Sequence, residues 1–197
     1  ISVLAELLRP FAGIEAGDLA PILIHRFGTI DRMLAATDSQ ILEACGELNE
    51  VGQMIAGARA LVLASLQETV TRAKVDPDDA SFANYLSLKL GGRPHEELPA
   101  IFVDQVGGFI AEELISIGGI GRVDAKVSVI IRRSIELAAS GFYLVHNHPS
   151  RCPNPSPEDV RSTKQMASVA RALEIDLIDH FVIAGRNVVS MRRLHLL

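Results

Sequence analysis

The stretch GFYLVHNHPSRCPNPSPED, residues 141–159, decides how this chain folds and what it can bind. Its first five residues are nearly all apolar, as in a strand that is buried on both faces. His146 and His148 follow directly, and in an extended chain their i, i+2 spacing points both imidazoles to the same side. Further on, Ser156 opens a helix with Asp159 on its first turn. Two imidazoles and a carboxylate that meet in this way are predicted to bind one metal ion.

The residue types in this stretch favour zinc. Two histidines and one aspartate leave a tetrahedral Zn²⁺ with one open position, which is the arrangement of catalytic rather than structural zinc. A water in that position would have its pKa lowered toward neutrality. A simpler interpretation stays open, because Ser156 and Asp159 also match a helix capping box with Pro157 at the first helical position. Both roles are compatible, since the Asp159 carboxylate has two oxygens.

Regular elements are predicted on both sides of the stretch. Before it we expect a helix at 78–90, two strands at 100–104 and 109–117 that form a hairpin around Gly107-Gly108, and a helix at 126–139. After it we expect a helix at 157–173, a strand at 175–184, and a turn at 185–187 into a strand at 188–191. With the buried strand at 141–145, the order ββαβαββ predicts a mixed sheet with helices packed against it.

The first third of the chain has a different character. From Ser2 to about Leu66 the apolar residues recur at helical spacing, and four or five short helices are predicted, with Thr29 and either Thr37 or Asp38 as N-caps. A polar stretch with a proline and several acidic residues then indicates a linker. The predicted organisation is an α+β chain with a helical domain at 1–70, a linker at 71–78 and a mixed α/β domain at 79–197.

Composition excludes several classes of protein. The chain has 197 residues, of which 48% are hydrophobic and 22% charged, so it can build a real core and is not of disordered type. No run of 18 apolar residues and no secretory signal pattern is present, so neither a membrane span nor export is predicted. The only two cysteines, Cys45 and Cys152, do not make a disulfide framework. We therefore expect a cytoplasmic protein.

The whole pattern, His-x-His followed by seven residues, Ser, two residues and Asp, resembles the JAMM metalloprotease motif. The segments HNHPS and PSPED, followed by LIDHFVIAG and VVS, resemble the sequences of the RadC-like branch of that superfamily. The resemblance extends over nearly the whole chain, with a helix-hairpin-helix region before a metalloprotease-type domain. It implies zinc on His146, His148 and Asp159, and a hydrogen bond from Ser156 to the tetrahedral intermediate.

The superfamily also takes its general base, a glutamate, from an earlier strand. Glu112 and Glu113 in FIAEELISIGG are the candidates, and only one can reach the zinc-activated water because adjacent strand residues face opposite ways. The sequence pattern of the family around this strand favours Glu113 over Glu112 as the general base. The alternative is that both are solvated acids at a strand edge, although a glutamate in an apolar strand is costly unless it has a role.

Some positions depart from the family pattern or fall outside the motif. The family usually continues HNHPS with Gly and Asp, where this chain has Arg151 and Cys152. Cys152 is either an additional zinc ligand or an ordinary free thiol. Asp179 and His180 match the family's Asp-His, and a structural or supporting role is expected because three ligands are already found. The histidines without a partner pattern are expected at the surface: His25, His95 and His195.

The charge distribution bears on nucleic acid binding. Residues 1–70 hold four arginines, no lysine and nine acidic residues. The second hairpin of the expected helix-hairpin-helix region lies at Cys45 to Gln53 and carries Glu47 and Glu50 in its turn. Carboxylates beside a DNA phosphate oppose DNA binding. We expect this region to pack against its own chain or another protein rather than DNA.

These observations favour a zinc hydrolase that cleaves an amide or isopeptide bond in a peptide or protein. One alternative is a DNA-associated, repair-related protein or a nuclease, although nucleases usually gather carboxylates around Mg²⁺ and two imidazoles favour zinc. Another is a scaffold that binds metal without turnover, in which a base such as Glu113 would have no purpose. No membrane partner is expected, and the sequence does not give the substrate or the oligomeric state.

Overall fold

The computed structural model describes residues 2–72, 74–118 and 123–197. The chain divides into two compact units, Ile1–Ser65 and Leu66–Leu197. The first is helical and the second contains a mixed sheet flanked by helices, which confirms the predicted α+β class. The boundary between the units falls within the helix Asn49–Thr71, and the division at 1–70, 71–78 and 79–197 stays a prediction.

The first unit is built from helices α1 (Ser2–Ala12), α2 (Ala16–Phe27), α3 (Ile30–Ala35), α4 (Asp38–Cys45) and most of α5 (Asn49–Thr71). Two predicted N-caps are confirmed: the Thr29 hydroxyl accepts from the Arg32 amide, and Thr37 forms a capping box with Gln40. Helix α5 has 23 residues and is far longer than the short helices predicted. Although α5 is long, no helix in the described ranges combines the length and apolarity needed to cross a membrane.

The second unit contains a five-stranded sheet in the order β2-β1-β3-β4-β5. Only β3 and β4 run parallel, and the other neighbours are antiparallel. This confirms the predicted hairpin and the mixed sheet. The elements are α6 (Ala80–Leu90), β1 (Glu97–Val103), β2 (Phe109–Ile117), α7 (Val123–Glu136), β3 (Gly141–Asn147), α8 (Pro157–Arg171), β4 (Asp176–Ala184) and β5 (Asn187–Ser190).

The two faces of the sheet pack against different helices. On one face, Ala100 of β1 and Leu144 of β3 share a core with residues of α7 and α8. On the other face, Phe82 of α6 packs its ring against Tyr143 and Phe181. Because strand residues alternate between faces, the position of a residue along its strand decides which of these surroundings it enters.

Candidate metal centre

His146 and His148 lie side by side at the end of the central strand. All seven residues of β3 are buried, and His146 is 1% exposed. Alternation puts both histidines on the face of Leu144, which is the face covered by α7 and α8. Their Nε2 atoms are 2.9 Å apart. The predicted meeting of the two imidazoles is therefore present.

Asp159 enters from the first turn of α8. The Ser156 hydroxyl accepts from the Asp159 amide at 3.1 Å, while the amide and hydroxyl of Ser156 both donate to Asp159 Oδ2 at 2.7 Å. The capping box is thus formed, and it saturates one carboxylate oxygen. The other oxygen, Oδ1, is buried and makes no hydrogen bond within the described residues. It lies 3.5 Å from His146 Nε2, and Oδ2 lies 3.4 Å from His148 Nε2.

The electrostatics of the site keep Asp159 ionised. Burial alone would raise the pKa of this carboxyl, but the interaction with the nearby His146 ring and the hydrogen bonds from Ser156 outweigh burial. The net result is a pKa well below its ordinary value. A buried anion with one unsatisfied oxygen is costly unless a positive partner is supplied.

The donor set fits a metal ion. One donor atom from each of His146, His148 and Asp159 lies within 4.8 Å of the others, and no other such group occurs in the part of the chain that the structure describes. The Nδ1 atom of His148 is 2.7 Å from the Cys152 carbonyl, which can only accept. That nitrogen therefore carries the hydrogen, and Nε2 is left as a bare lone pair facing the cluster. Two imidazole nitrogens and a carboxylate oxygen suit Zn²⁺.

Cys152 supports this site through its main chain. Its carbonyl orients the His148 ring, whereas its thiol is exposed and does not belong to the group of possible ligands. The geometry therefore favours the free-thiol interpretation over an additional zinc ligand. The three remaining histidines, His25, His95 and His195, are exposed, as predicted.

Arg151 adopts a left-handed backbone conformation with φ +60°, which glycine adopts without strain. This conformation costs a non-glycine residue about 1–2 kcal/mol. Part of that cost is offset by the greater freedom of glycine in the unfolded chain, by about 0.5–1 kcal/mol. We expect Arg151→Gly to raise the free energy of unfolding by up to about 1 kcal/mol, measured by denaturant unfolding. Arg151→Ala is the control and should give no gain; a loss of stability in Arg151→Gly would mean that the guanidinium itself stabilises the fold.

Asp179 and His180 are adjacent in β4 and face opposite sides of the sheet. Asp179 Oδ1 accepts from the amides of His180 and Arg192 at 2.7 and 3.0 Å, and its Oδ2 accepts from the Ser190 hydroxyl. Asp179 therefore joins β4 to the chain that follows β5. His180 lies behind His146, with its Nε2 atom 2.8 Å from His146 Nδ1. Burial and the nearby His146 lower the pKa of His180 well below its ordinary value, so the ring is neutral.

The two predicted base candidates are separated by the sheet. Glu113 is paired with Ala100 and hence lies on the histidine face, whereas Glu112 is paired with Ile101 and lies on the α6 face. Both oxygens of Glu113 accept from the Arg133 guanidinium, and this hydrogen bonding lowers the pKa of Glu113. Lowered basicity is unfavourable for a general base. The role of Glu113 stays a prediction.

A third glutamate, Glu96, which the sequence reasoning missed, is better placed than Glu112 and Glu113 relative to the histidine strand. Glu96 precedes β1, and its carbonyl accepts from the Gly118 amide at 2.7 Å, so the chain is already extended there. The pairing of β1 with β3 ends at Ala100 and Leu144, and the same register extended by four residues would set Glu96 opposite His148. Facing residues of antiparallel strands have Cβ atoms about 4.5–5.5 Å apart. Glu96 is half-buried and its carboxylate has no hydrogen bond or ion pair with the described residues.

Asn147, between the two histidines, holds this segment in place. Its Oδ1 accepts from the Glu97 amide at 2.8 Å, and its Nδ2 donates to the His95 carbonyl at 3.0 Å. These two backbone groups flank Glu96. The available sequence signal was a pair of acidic residues, Glu96-Glu97, directly before the strand that pairs with the histidine strand.

A mixed sheet whose central strand ends in His-x-His, beside a helix that returns a first-turn aspartate, is the arrangement of the JAMM superfamily of metal-dependent hydrolases. Sequence comparison agrees with this class. Residues 77–196 match the RadC-like JAB domain family. The chain belongs to that family.

Similar proteins extend over nearly the whole chain. A UPF0758 protein of Cupriavidus necator is 30% identical over 190 residues, which cover 96% of this chain and 83% of the relative. One from Neisseria meningitidis serogroup B is 28% identical, covering 99% of this chain and 87% of the relative. One from Paraburkholderia xenovorans is 30% identical, covering 92% and 72%. These names state no reaction.

Proposed function

We propose that this chain is a zinc-dependent hydrolase that cleaves an amide or isopeptide bond in a peptide or protein. The observation that carries the proposal is the convergence of two imidazole nitrogens and a buried, unsatisfied carboxylate oxygen from His146, His148 and Asp159. Three protein ligands leave a coordination position free, as in catalytic zinc sites. Bound Zn²⁺ would supply a Lewis acid for a carbonyl oxygen and would acidify water near neutral pH.

We assign the general base to Glu96, with Glu113 as the alternative. The register of β1 and β3 supports Glu96, and the absence of a competing cation on its carboxylate, within the described residues, leaves it free to hold a proton. Glu113 is in reach of Arg133, which would have to be displaced before the carboxylate could accept a proton from water. In either case the glutamate takes a proton from water and delivers it to the leaving amine.

Ser156 is proposed to donate to the oxyanion of the tetrahedral intermediate. Its hydroxyl hydrogen is directed to Asp159 Oδ2, which also accepts from the Ser156 amide. The amide bond alone keeps that oxygen satisfied, so the hydroxyl can turn to substrate without leaving Asp159 Oδ2 unpaired. The same residue would therefore cap α8 and assist the reaction.

Partners and location follow from the proposed reaction. The substrate is a peptide or protein, and both cysteines are free thiols, which suits the reducing cytoplasm. The acidic first unit opposes DNA association, although its α4–α5 connection, with Gly46 at φ +58°, has the form of a hairpin. A chain that binds zinc but turns over no peptide or isopeptide substrate would favour the non-catalytic scaffold instead.

The first test is the metal content of the purified full chain, by elemental mass spectrometry, beside His148→Ala. We expect about one zinc per wild-type chain and its loss in the variant, because His148 supplies one of three ligands. His25→Ala, at an exposed site, is the matched control and should retain zinc. Bound zinc justifies a screen of peptide and isopeptide substrates. Absence of zinc after zinc has been supplied would reduce Ser156 and Asp159 to a helix cap and would contradict the proposed function.

A further inference from the structure

Arg151 lies in the loop that joins the histidine strand to α8, at the rim of the candidate metal centre. Its amide donates to the His148 carbonyl at 2.9 Å, which closes a turn at residues 148–151. The Cα atoms at the two ends of such a turn are less than about 7 Å apart. The long side chain of Arg151 is therefore attached close to one of the candidate metal ligands.

The left-handed backbone of Arg151 is not explained by the end of a helical turn. Three other non-glycine residues have φ between +51° and +59°: Ala138, Glu174 and His195. Each is followed by an amide that donates to the carbonyl five residues before it, which is the closing hydrogen bond of a helical turn. The Cys152 amide, which follows Arg151, donates instead to the Ser150 hydroxyl at 3.4 Å. Backbone strain that local structure does not require is typical of functional sites.

The Arg151 guanidinium has no partner within the chain. Its side chain is exposed and makes no hydrogen bond or ion pair with the residues that the structure describes. Three arginines on neighbouring elements, by contrast, are paired with carboxylates of the chain: Arg93, Arg133 and Arg161. A guanidinium presents its donors as a planar fork that matches the two oxygens of a carboxylate. Arg151 therefore offers a binding group for a carboxylate from outside the chain.

We propose that Arg151 determines specificity by binding a carboxylate of the substrate next to the bond that is cleaved. The inference rests on the proposed function in taking His148 and its neighbours as the place where the bond is cleaved. The carboxylate belongs either to an acidic side chain beside the scissile amide or to the free carboxyl end of the peptide. A peptide without a carboxylate leaves the guanidinium unpaired, and a lysine at the same place is repelled by it.

The charge at the rim is measured first, without metal or substrate. Cys152 is exposed whereas Cys45 is buried, so the thiol beside Arg151 is the one that reagents reach. In the full metal-free chain, the rate with anionic dithiobis(nitrobenzoate) is divided by the rate with neutral dithiodipyridine, which cancels any change in ionisation of the thiol. We expect Arg151→Ala to lower this ratio by about two- to fivefold at low salt, as for a unit charge a few ångströms away in water. The effect should disappear at about 1 M salt.

Three acetylated glycine tetrapeptides then identify the source of the carboxylate. The first contains one glutamate and an amidated end, the second has glutamine in its place, and the third has glutamine with a free carboxyl end. Binding is followed by ¹H–¹⁵N NMR titration of the full chain, with and without added zinc. We expect the glutamate peptide or the free-ended peptide to bind about tenfold more tightly than the second peptide. Arg151→Ala should abolish this preference, and Arg151→Lys should retain part of it because it keeps the charge but loses the fork.

The outcomes separate this inference from the proposed function. Equal binding of the three peptides overturns the inference, as does a reagent ratio that Arg151→Ala leaves unchanged. Arg171→Ala, at an exposed arginine in the last turn of α8, is the matched control, and an effect equal to that of Arg151→Ala would also overturn it. A wild-type chain that takes up no zinc overturns the proposed function, while the titration without zinc still decides whether Arg151 binds a carboxylate.

Discussion

Replacing Glu96 with glutamine is expected to lower turnover by about 10²–10⁴-fold while leaving the zinc content unchanged. Glutamine keeps the size of the side chain and its place opposite His148 but cannot take a proton from water. Because Glu96 is not one of the three grouped ligands, the metal should stay bound. The measurement is kcat on the best substrate of the peptide and isopeptide screen, with zinc content determined on the same preparation.

Two glutamate variants on β2 are the controls for this experiment. Glu113→Gln removes the ion pair with Arg133 and should change kcat by less than a few-fold if Glu96 is the base. Glu112→Gln lies on the opposite face and should also retain turnover. The reverse result, with Glu113→Gln inactive and Glu96→Gln active, would restore the original sequence prediction. An inactive Glu112→Gln with bound zinc would contradict both assignments.

The grouping of His146, His148 and Asp159 was predictable because it is local in sequence. His146 and His148 are fixed by strand alternation, and Asp159 is fixed by a capping box that a short segment encodes by itself. Likewise, the hairpin around Gly107-Gly108 and the order of strands follow from turn chemistry and apolar runs. The residue types of this group already favoured zinc, and the resemblance to the family implies the same metal.

The residues that support the site could not be predicted in the same way, because they depend on which strands become neighbours. Glu96 meets the histidine strand only because β1 lies between β2 and β3. His180 meets His146 because β4 is parallel to β3, and Thr163 joins them from a helix packed on that face. No spacing in the sequence encodes these contacts. The length of α5 was missed for a different reason: its polar last turns, up to Thr71, have the composition of the linker that was predicted to follow.

On the face away from the metal centre, a buried ion pair links α6 to β2. Lys89 Nζ donates to Glu112 Oε2 at 2.6 Å and to the Tyr85 hydroxyl at 2.9 Å, and Tyr85 donates to the same carboxylate. The Glu112 side chain is only 6% exposed, whereas that of Lys89 is 28% exposed. Burial, followed by the charge of Glu112, raises the pKa of Tyr85, so the phenol remains a donor.

We expect Lys89→Met to lower the free energy of unfolding of the second unit by about 3 kcal/mol, because it leaves a buried carboxylate without its cation. Glu112→Gln should cost clearly less, since the partly exposed Lys89 can extend its ammonium to water. Combining the two changes should recover a large part of the loss caused by Lys89→Met. Lys164→Met, at an exposed lysine of α8, is the control and should be nearly neutral.

The tyrosines of the chain provide the spectroscopic probe for this double-mutant cycle. It contains no tryptophan and only two tyrosines, Tyr85 and Tyr143, both in the second unit. Tyrosine near-ultraviolet circular dichroism during urea unfolding therefore reports on that unit alone. If the single changes are equal in cost and simply add in the double variant, the pair is not coupled, and the attachment of α6 to the sheet depends on its apolar contacts, such as Phe82 against Phe181.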